Sequence, residues 1–307
     1  DIDGITPLVY FYKKENYRRE EIRTVLAKSL ASILSNQRND GGFCWAKRDF
    51  LSLLDLSQEN LKQIIARAHQ LKKEANRTYR PLTGHTAALL LSLNSTRTRV
   101  AFETGMSELG GHTIVLNPNE TQLGRGEPIE DMAKVLSEMV DVIIIRTLEQ
   151  NDINTFAQFS DVPVINAMSS KLHPCQLLAD IQTFEELKGP IEGQTVAFLG
   201  DGNNMCNSYI NAARQWDFNL KIACPTGYEP DSELLKSCTN TILTNDPVEA
   251  IEQADLVVTD VWSSMGYEQE VDERRQIFLP YQVNETILGK AKKDVIFMHC
   301  LPAHRGE

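Results

Sequence analysis

The sequence contains no apolar run near the roughly 20 residues that span a bilayer, and its N-terminus carries no signal-peptide-like apolar core. Residues 13–23 are basic but interleaved with Glu15, Glu20 and Glu21, which argues against a transit peptide. Excess positive charge is also lacking. The formal net charge is −11, which sets bulk electrostatics against nucleic acid or an anionic membrane as a partner. An anionic substrate therefore needs a local basic cluster. The six cysteines, at 44, 175, 206, 224, 238 and 300, form no CxxC pair. They read as reduced thiols of a cytoplasmic protein, not as a disulfide frame. The first residue is Asp1 where an initiator methionine would stand, so the chain reads as processed or as a fragment.

What is present is ordinary globular material: 307 residues, 42% hydrophobic and 24% charged. That length predicts about two domains, each able to bury its own core. Residues 1–48 read as an extension of unknown role. A basic amphipathic stretch from Tyr17 to Ile33 ends in the turn signal Gln37-Arg38-Asn39-Asp40-Gly41-Gly42-Phe43. That heptapeptide resembles a turn of terpene-cyclase-like helical repeats, but it occurs once, and a repeat array needs several copies. A non-catalytic extension or a foreign piece joined upstream is the simpler reading.

From residue 49 the pattern becomes regular. Ser57 can cap a helix whose apolar positions Leu61, Ile64, Ile65, Ala68 and Leu71 follow the 3.6-residue period. Apolar strand runs follow at Ala87–Leu91, Thr113–Leu116, Val142–Ile145 and Val162–Ile165, alternating with helices at Val100–Met106, Pro128–Met139, 150–158 and Pro174–Leu187. Gly189-Pro190 interrupts the chain. A second series then runs through strands at Thr195–Leu199, 219–223, 240–244, 255–259 and 294–298. Continuous apolar strands alternating with helices predict an α/β fold with two consecutive doubly wound parallel-sheet domains, 49–188 and 189–307. The active site is expected in the cleft between them, because ligands of such folds bind at the carboxyl ends of strands.

Polar motifs fall at those strand ends. Ser95-Thr96-Arg97-Thr98-Arg99 joins a buried strand to a helix start. Free backbone N–H groups, hydroxyls and a guanidinium fork converge there, which suits an anion. Arginines two apart cannot share a helix face, so one is expected to grip the ligand while the other holds the loop or a neighbour. Arg146 ends the run Val142–Ile145, on the same rim. His173-Pro174-Cys175-Gln176 opens a helix with His and Gln three apart on one face, able to polarise a carbonyl and bind an amide NH₂.

Gly200-Asp201-Gly202-Asn203-Asn204 resembles a dinucleotide loop. Met205 replaces its third glycine, however, and the next strand ends in Ala223-Cys224-Pro225 without a ribose-binding acid, so the nicotinamide signal is weak. Asp260 ends the run Leu256–Thr259 and begins Asp260-Val261-Trp262-Ser263-Ser264-Met265-Gly266. His299-Cys300-Leu301-Pro302 ends the last strand. No further ligand accompanies His299, Cys300 and His304 at zinc spacing, so no metal is expected. Asp260 beside Cys300 would raise the thiol pKa by like-charge repulsion, which favours binding over nucleophilic attack.

Taken together and in this order, Ser-Thr-Arg-Thr-Arg, Arg146, His-Pro-x-Gln, Asp-x-x-x-Ser-Met-Gly and His-Cys-Leu-Pro resemble the aspartate/ornithine carbamoyltransferase family over residues 50–307. The last two motifs resemble its ornithine branch. The resemblance implies carbamoyl transfer from carbamoyl phosphate to the δ-amine of L-ornithine, giving L-citrulline and phosphate without a cofactor, as in arginine biosynthesis. It implies Ser95, Thr96, Arg97, Thr98, Gln122, Arg146, His173, Gln176, Cys300 and Leu301 as carbamoyl phosphate ligands, with Asn204, Asp260, Ser264 and Met265 on ornithine. Arg97, Arg146, His173, Asp260 and Cys300 are the implied catalytic set. Gln122, in Thr121-Gln122-Leu123-Gly124-Arg125-Gly126, is expected to reach a neighbouring subunit, which implies a homotrimer or a multiple of trimers. The resemblance further implies a segment beyond Glu307 that supplies another arginine. Transfer to putrescine or an acylated ornithine, and a non-catalytic family-like subunit, remain open alternatives.

Overall fold

In the computed structural model, residues 49–74, 78–117, 121, 124, 126–263, 271–304 and 306 are described. They lie in one compact unit, Asp49–Glu307. The expected Tyr17–Ile33 helix and the turn after it, together with Gln122, Ser264 and Met265, lie outside the described residues.

Among the described residues, nine parallel strands form two sheets. The first has the order β2-β1-β3-β4, with β1 at Thr86–Leu91, β2 at His112–Leu116, β3 at Val142–Arg146 and β4 at Val164–Met168. The second has the order β7-β6-β5-β8-β9. It comprises β5 at Thr195–Leu199, β6 at Asn219–Ala223, β7 at Thr241–Thr244, β8 at Leu256–Thr259 and β9 at Ile296–His299. Both are α/β sheets of the doubly wound kind that the alternating pattern predicts.

The helices that matter for the site are α1 (Gln58–Glu74), α2 (Thr96–Glu108), α3 (Ile129–Ser137), α4 (Gln150–Phe159), α5 (Pro174–Lys188) and α6 (Asn204–Trp216). Each start has a local cause. Ser95 accepts from the Thr98 N–H at 3.2 Å, and Asn203 accepts from the Met205 and Cys206 N–H groups at 2.9 and 3.3 Å. Pro174 occupies the first turn of α5, where its missing N–H costs nothing.

Several boundaries differ from expectation, and three of them have a local cause. Pro128 is the N-cap of α3 and not part of its first turn, and the helix ends at Ser137, whose hydroxyl bonds back to the Ala133 carbonyl. β4 begins at Val164 because Pro163 has no N–H for the ladder and Val162 is tied into a turn by Ser160. β9 starts at Ile296 while Asp294 pairs with Lys188 at 2.9 Å outside the strand.

Strand alternation explains the cores. Ala88, Leu90, Ile143, Ile145 and Val164 bury one face of the first sheet against Met132, Ala133, Ile153 and Phe156. Ala87, Leu89, Ile144 and Ala167 bury the other against Met106. The largest core is centred on the second sheet, but Leu61 and Ile65 of α1 and Leu177, Ile181 and Phe184 of α5 belong to it. Helices adjacent in sequence to the first sheet thus pack onto the second. At roughly 1.5–3 kcal/mol per buried aliphatic or aromatic side chain, that packing ties the two sheets together.

Candidate active site

Both sheets change winding direction beside their central strand, between β1 and β3 in the first and between β5 and β8 in the second. Polar loops leave the strands at those switch points, the place where open α/β sheets take ligands. Bonds cross from one set of loops to the other. The Arg97 guanidinium donates to the Leu301 carbonyl at 2.7 Å, the Ser208 hydroxyl accepts from the His173 N–H at 2.7 Å, and the Asn204 amide donates to the Ser169 carbonyl at 2.6 Å.

The first sheet supplies cations. Arg146 continues the apolar run of β3 to the strand's last residue and is only 7% exposed. Its Nη1 donates to the Thr98 hydroxyl at 3.3 Å, while its Nε has no partner among the described residues. Burial and the neighbouring Arg97 charge both lower its pKa. Arg97 is exposed in the first turn of α2, and Arg99 pairs instead with Glu103 of the same helix at 3.0 Å. Arg97 thus reaches the Leu301 carbonyl of the second sheet's loop, while Arg99 is held along α2 rather than on the loop or a neighbour. Two guanidiniums in proximity, one of them buried without a carboxylate, form a site that a dianion would relieve.

His173 stands beside them. Burial, and then the charge of Arg146, push its pKa down to about 3, so its imidazole is neutral at pH 7. Its buried Nδ1 has no partner among the described residues. A neutral imidazole can donate a hydrogen bond but is not a source of positive charge or a strong acid. Ser95 is committed to capping α2, and Thr96 lies exposed on its first turn. Gln176, half-buried in the first turn of α5, donates its amide to Asp180 at 2.9 Å.

The second sheet supplies an anion. The Asp260 carboxylate accepts from the Asn203 amide at 2.7 Å, the Val261 N–H at 2.7 Å and the Cys300 thiol at 2.8 Å. The Cys300 thiol is held far above its ordinary pKa, by burial first and by Asp260 second. The expected direction is correct, but desolvation outweighs the like charge that the sequence suggested. Such a thiol is a poor nucleophile.

The expectation that His299 and Cys300 have no partner at ligand spacing is revised. Asp260 arrives from β8, and one atom from each of the three lies within 4.8 Å of the others. Holding a cation there needs the thiolate, which burial and Asp260 both oppose. Leu301 is 61% exposed, and its carbonyl, expected to hold a carbamoyl nitrogen, accepts from Arg97 here.

Several participants had no sequence signal of their own. Asn203, next to the expected Asn204, both caps α6 and orients Asp260. Arg274, 3% exposed, pairs with Asp201 and donates to the Trp262 carbonyl, with its guanidinium 4.8 Å from the Tyr228 ring centre. This anchors the chain two residues past Asp260. The dinucleotide-like loop is also filled by the chain itself. The Gly202 N–H donates to the Tyr228 carbonyl at 2.9 Å, and a Cβ at Gly202 would lie 2.2 Å from the Pro230 nitrogen. That glycine serves the close approach of residues 228–230, and its N–H is not offered to a phosphate.

A buried arginine with an exposed one beside it thus stands opposite a bonded carboxylate where the strand-end loops of the two sheets meet, an arrangement that suits an anionic donor and an amine. Residues 48–186 match the carbamoyl-phosphate-binding domain of the aspartate/ornithine carbamoyltransferases, and residues 192–307 match their aspartate/ornithine-binding domain. The chain is 52% identical over 263 residues to the ornithine carbamoyltransferase of Psychrobacter sp., covering 85% of this chain and 86% of that one. It is also similar to the crystal structure of ornithine carbamoyltransferase from Burkholderia thailandensis, at 45% identity and TM-score 0.78 over 85% of this chain and 87% of that one. For ornithine carbamoyltransferase from Pyrococcus furiosus the values are 44% and 0.82 over 87% and 88%. The chain belongs to the aspartate/ornithine carbamoyltransferase family.

Proposed function

We infer that this chain transfers the carbamoyl group of carbamoyl phosphate to the δ-amine of L-ornithine, giving L-citrulline and phosphate. The observation that carries this reading is the meeting of the two strand-end loops: Arg97 and Arg146 on one side, Asp260, Cys300 and Leu301 on the other. Relatives of the ornithine branch at 52% identity support the choice of amine.

In this reading Arg97, Arg146 and the hydroxyls of Ser95, Thr96 and Thr98 hold the phosphate. Thr98, Arg146 and neutral His173 donate to the carbonyl oxygen, which becomes an oxyanion as the uncharged amine attacks. Gln176 accepts from the carbamoyl nitrogen. The Leu301 carbonyl joins it once Arg97 turns to the phosphate, and Cys300 borders both substrates. The new C–N bond forms, the C–O bond to phosphate breaks with its electron pair leaving on oxygen, and the proton lost by the nitrogen leaves on the departing phosphate. Asp260 faces that ammonium, with Asn204, Ser264 and Met265 around the amino-acid end.

Residues 49–188 act as the carbamoyl phosphate domain and 189–307 as the ornithine domain, while residues 1–48 take no part. The enzyme works in the cytoplasm as a homotrimer or a multiple of trimers, in arginine biosynthesis, with Gln122 lent to a neighbouring site. No helix among the described residues is long and apolar enough to cross a membrane. The test is citrulline formation with L-ornithine, putrescine, N-acetylornithine and L-aspartate offered side by side. Product from ornithine alone is expected. Product from putrescine or the acylated amine instead would move the chain to a sister activity.

A further inference from the structure

Behind Gln176 lies a polar group that the reaction as derived does not use. Asp180 sits four residues on, along the same face of α5, half-buried in a helix whose other inward positions, Leu177, Ile181 and Phe184, are apolar. Its Oδ1 accepts from the Gln176 Nε2 at 2.9 Å, and its Oδ2 accepts from the Tyr209 hydroxyl at 2.8 Å. Tyr209 is fully buried on α6, and its ring is wedged at 5.9 Å from that of Phe198 on β5. Its phenol is held well above its ordinary pKa, so it stays a donor. Asp180 is close enough to Cys300 for its charge to raise the thiol pKa, which puts the carboxylate at the edge of the site.

This chain of bonds settles which end of the Gln176 amide faces the cleft. A carboxylate only accepts, so the Gln176 NH₂ must turn toward Asp180 and the amide oxygen must turn away. Among the described residues, that oxygen makes no hydrogen bond. An acceptor is what a carbamoyl NH₂ needs. A donor in its place would repel it.

We propose that Asp180, held by Tyr209, is a positioning residue that fixes the Gln176 amide with its oxygen toward the carbamoyl nitrogen and so selects a carbamoyl over an acyl donor. This rests on the assignment of Gln176 to the carbamoyl nitrogen. Asn at 180 tests it sharply, because its oxygen can still accept from Tyr209 while its NH₂ donates to the Gln176 oxygen. The amide is then turned over without emptying the network.

The experiment compares phosphonoacetamide with acetonylphosphonate, stable donor analogues that differ only in NH₂ against CH₃. Their dissociation constants are measured by calorimetry, with inorganic phosphate as the control for an intact anion pocket. The unaltered chain is expected to prefer the amide about tenfold, the size of one net hydrogen bond. Gln176→Ala reduces the preference to what the Leu301 carbonyl alone sustains. Asp180→Asn removes or inverts it while phosphate affinity stays within about twofold, a pattern that loss of fold does not produce. Tyr209→Phe shrinks the preference, and carries the test alone if Asp180→Asn does not fold. A wild-type preference retained in Asp180→Asn or Tyr209→Phe overturns the proposal. If Gln176→Ala also retains it, the assignment of Gln176 is what fails.

Discussion

At the carboxyl edge of the first sheet, Arg146 is buried with its Nε unpartnered and a second guanidinium nearby, and His173 keeps a bare Nδ1. At the edge of the second sheet, the Asp260 carboxylate has three donors within 2.8 Å. The cationic half is under-satisfied and the anionic half is complete. A buried cation without a partner costs stability, and a bound dianion returns it. A fully bonded carboxylate is a rigid acceptor whose energy changes little until an ammonium arrives. One half is organised for tight binding, the other for orientation.

Arg146→Met breaks this contrast most severely. It removes a buried charge along with a phosphate and oxyanion contact. Citrulline formation is expected to fall by about a thousandfold or more in kcat/KM, while the melting temperature stays level or rises. A melting temperature lowered by several degrees would mean that Arg146 is structurally satisfied after all.

Asp260→Asn is the next test. It keeps the shape but not the charge, and kcat is expected to fall about a hundredfold with the KM for carbamoyl phosphate unchanged. A change confined to that KM would place Asp260 on the wrong substrate.

The smallest effect concerns Asp180, whose pKa burial raises to about 6 from 3.8. A carboxyl with a raised folded pKa stabilises the fold below its unfolded pKa, and that contribution is lost as pH rises through 6. Asp180→Asn lacks the titration. Its melting temperature relative to wild type is therefore expected to climb between pH 4 and 6, by on the order of 3 kcal/mol in stability at most. A flat difference across that window would show that Gln176 and Tyr209 fully compensate the burial. An increase would mean that the residue proposed to set donor choice is kept at the expense of stability.

The polar residues at strand ends were readable because the pattern changes abruptly there. Val142-Ile143-Ile144-Ile145 stops at Arg146, and Leu256-Val257-Val258-Thr259 stops at Asp260, so a charge following an apolar run lies at a sheet's edge. The partners of those residues were not readable. Asn203 meets Asp260 across 57 residues, Arg274 meets Asp201 across 73, and Tyr209 meets Asp180 across 29. No local periodicity encodes such distances. Asp180 left one trace, a lone acid on the inward side of an apolar helix four residues after Gln176. The allegiance of α1 and α5 was equally hidden, since an apolar stripe says that a helix is buried and not against which sheet.

That allegiance governs how this part of the molecule comes apart. α5 follows β4 in sequence, yet Leu177, Ile181 and Phe184 share one interior with Val196, Phe198 and Tyr209, and Leu61 and Ile65 of α1 join them. Melting the second sheet strips the cover from both helices, and with α5 go His173 and Gln176. The described residues of 49–307 are therefore expected to lose their structure in one cooperative transition, and a chain cut at the Gly189-Pro190 junction would leave the apolar faces of α1 and α5 uncovered and half a site.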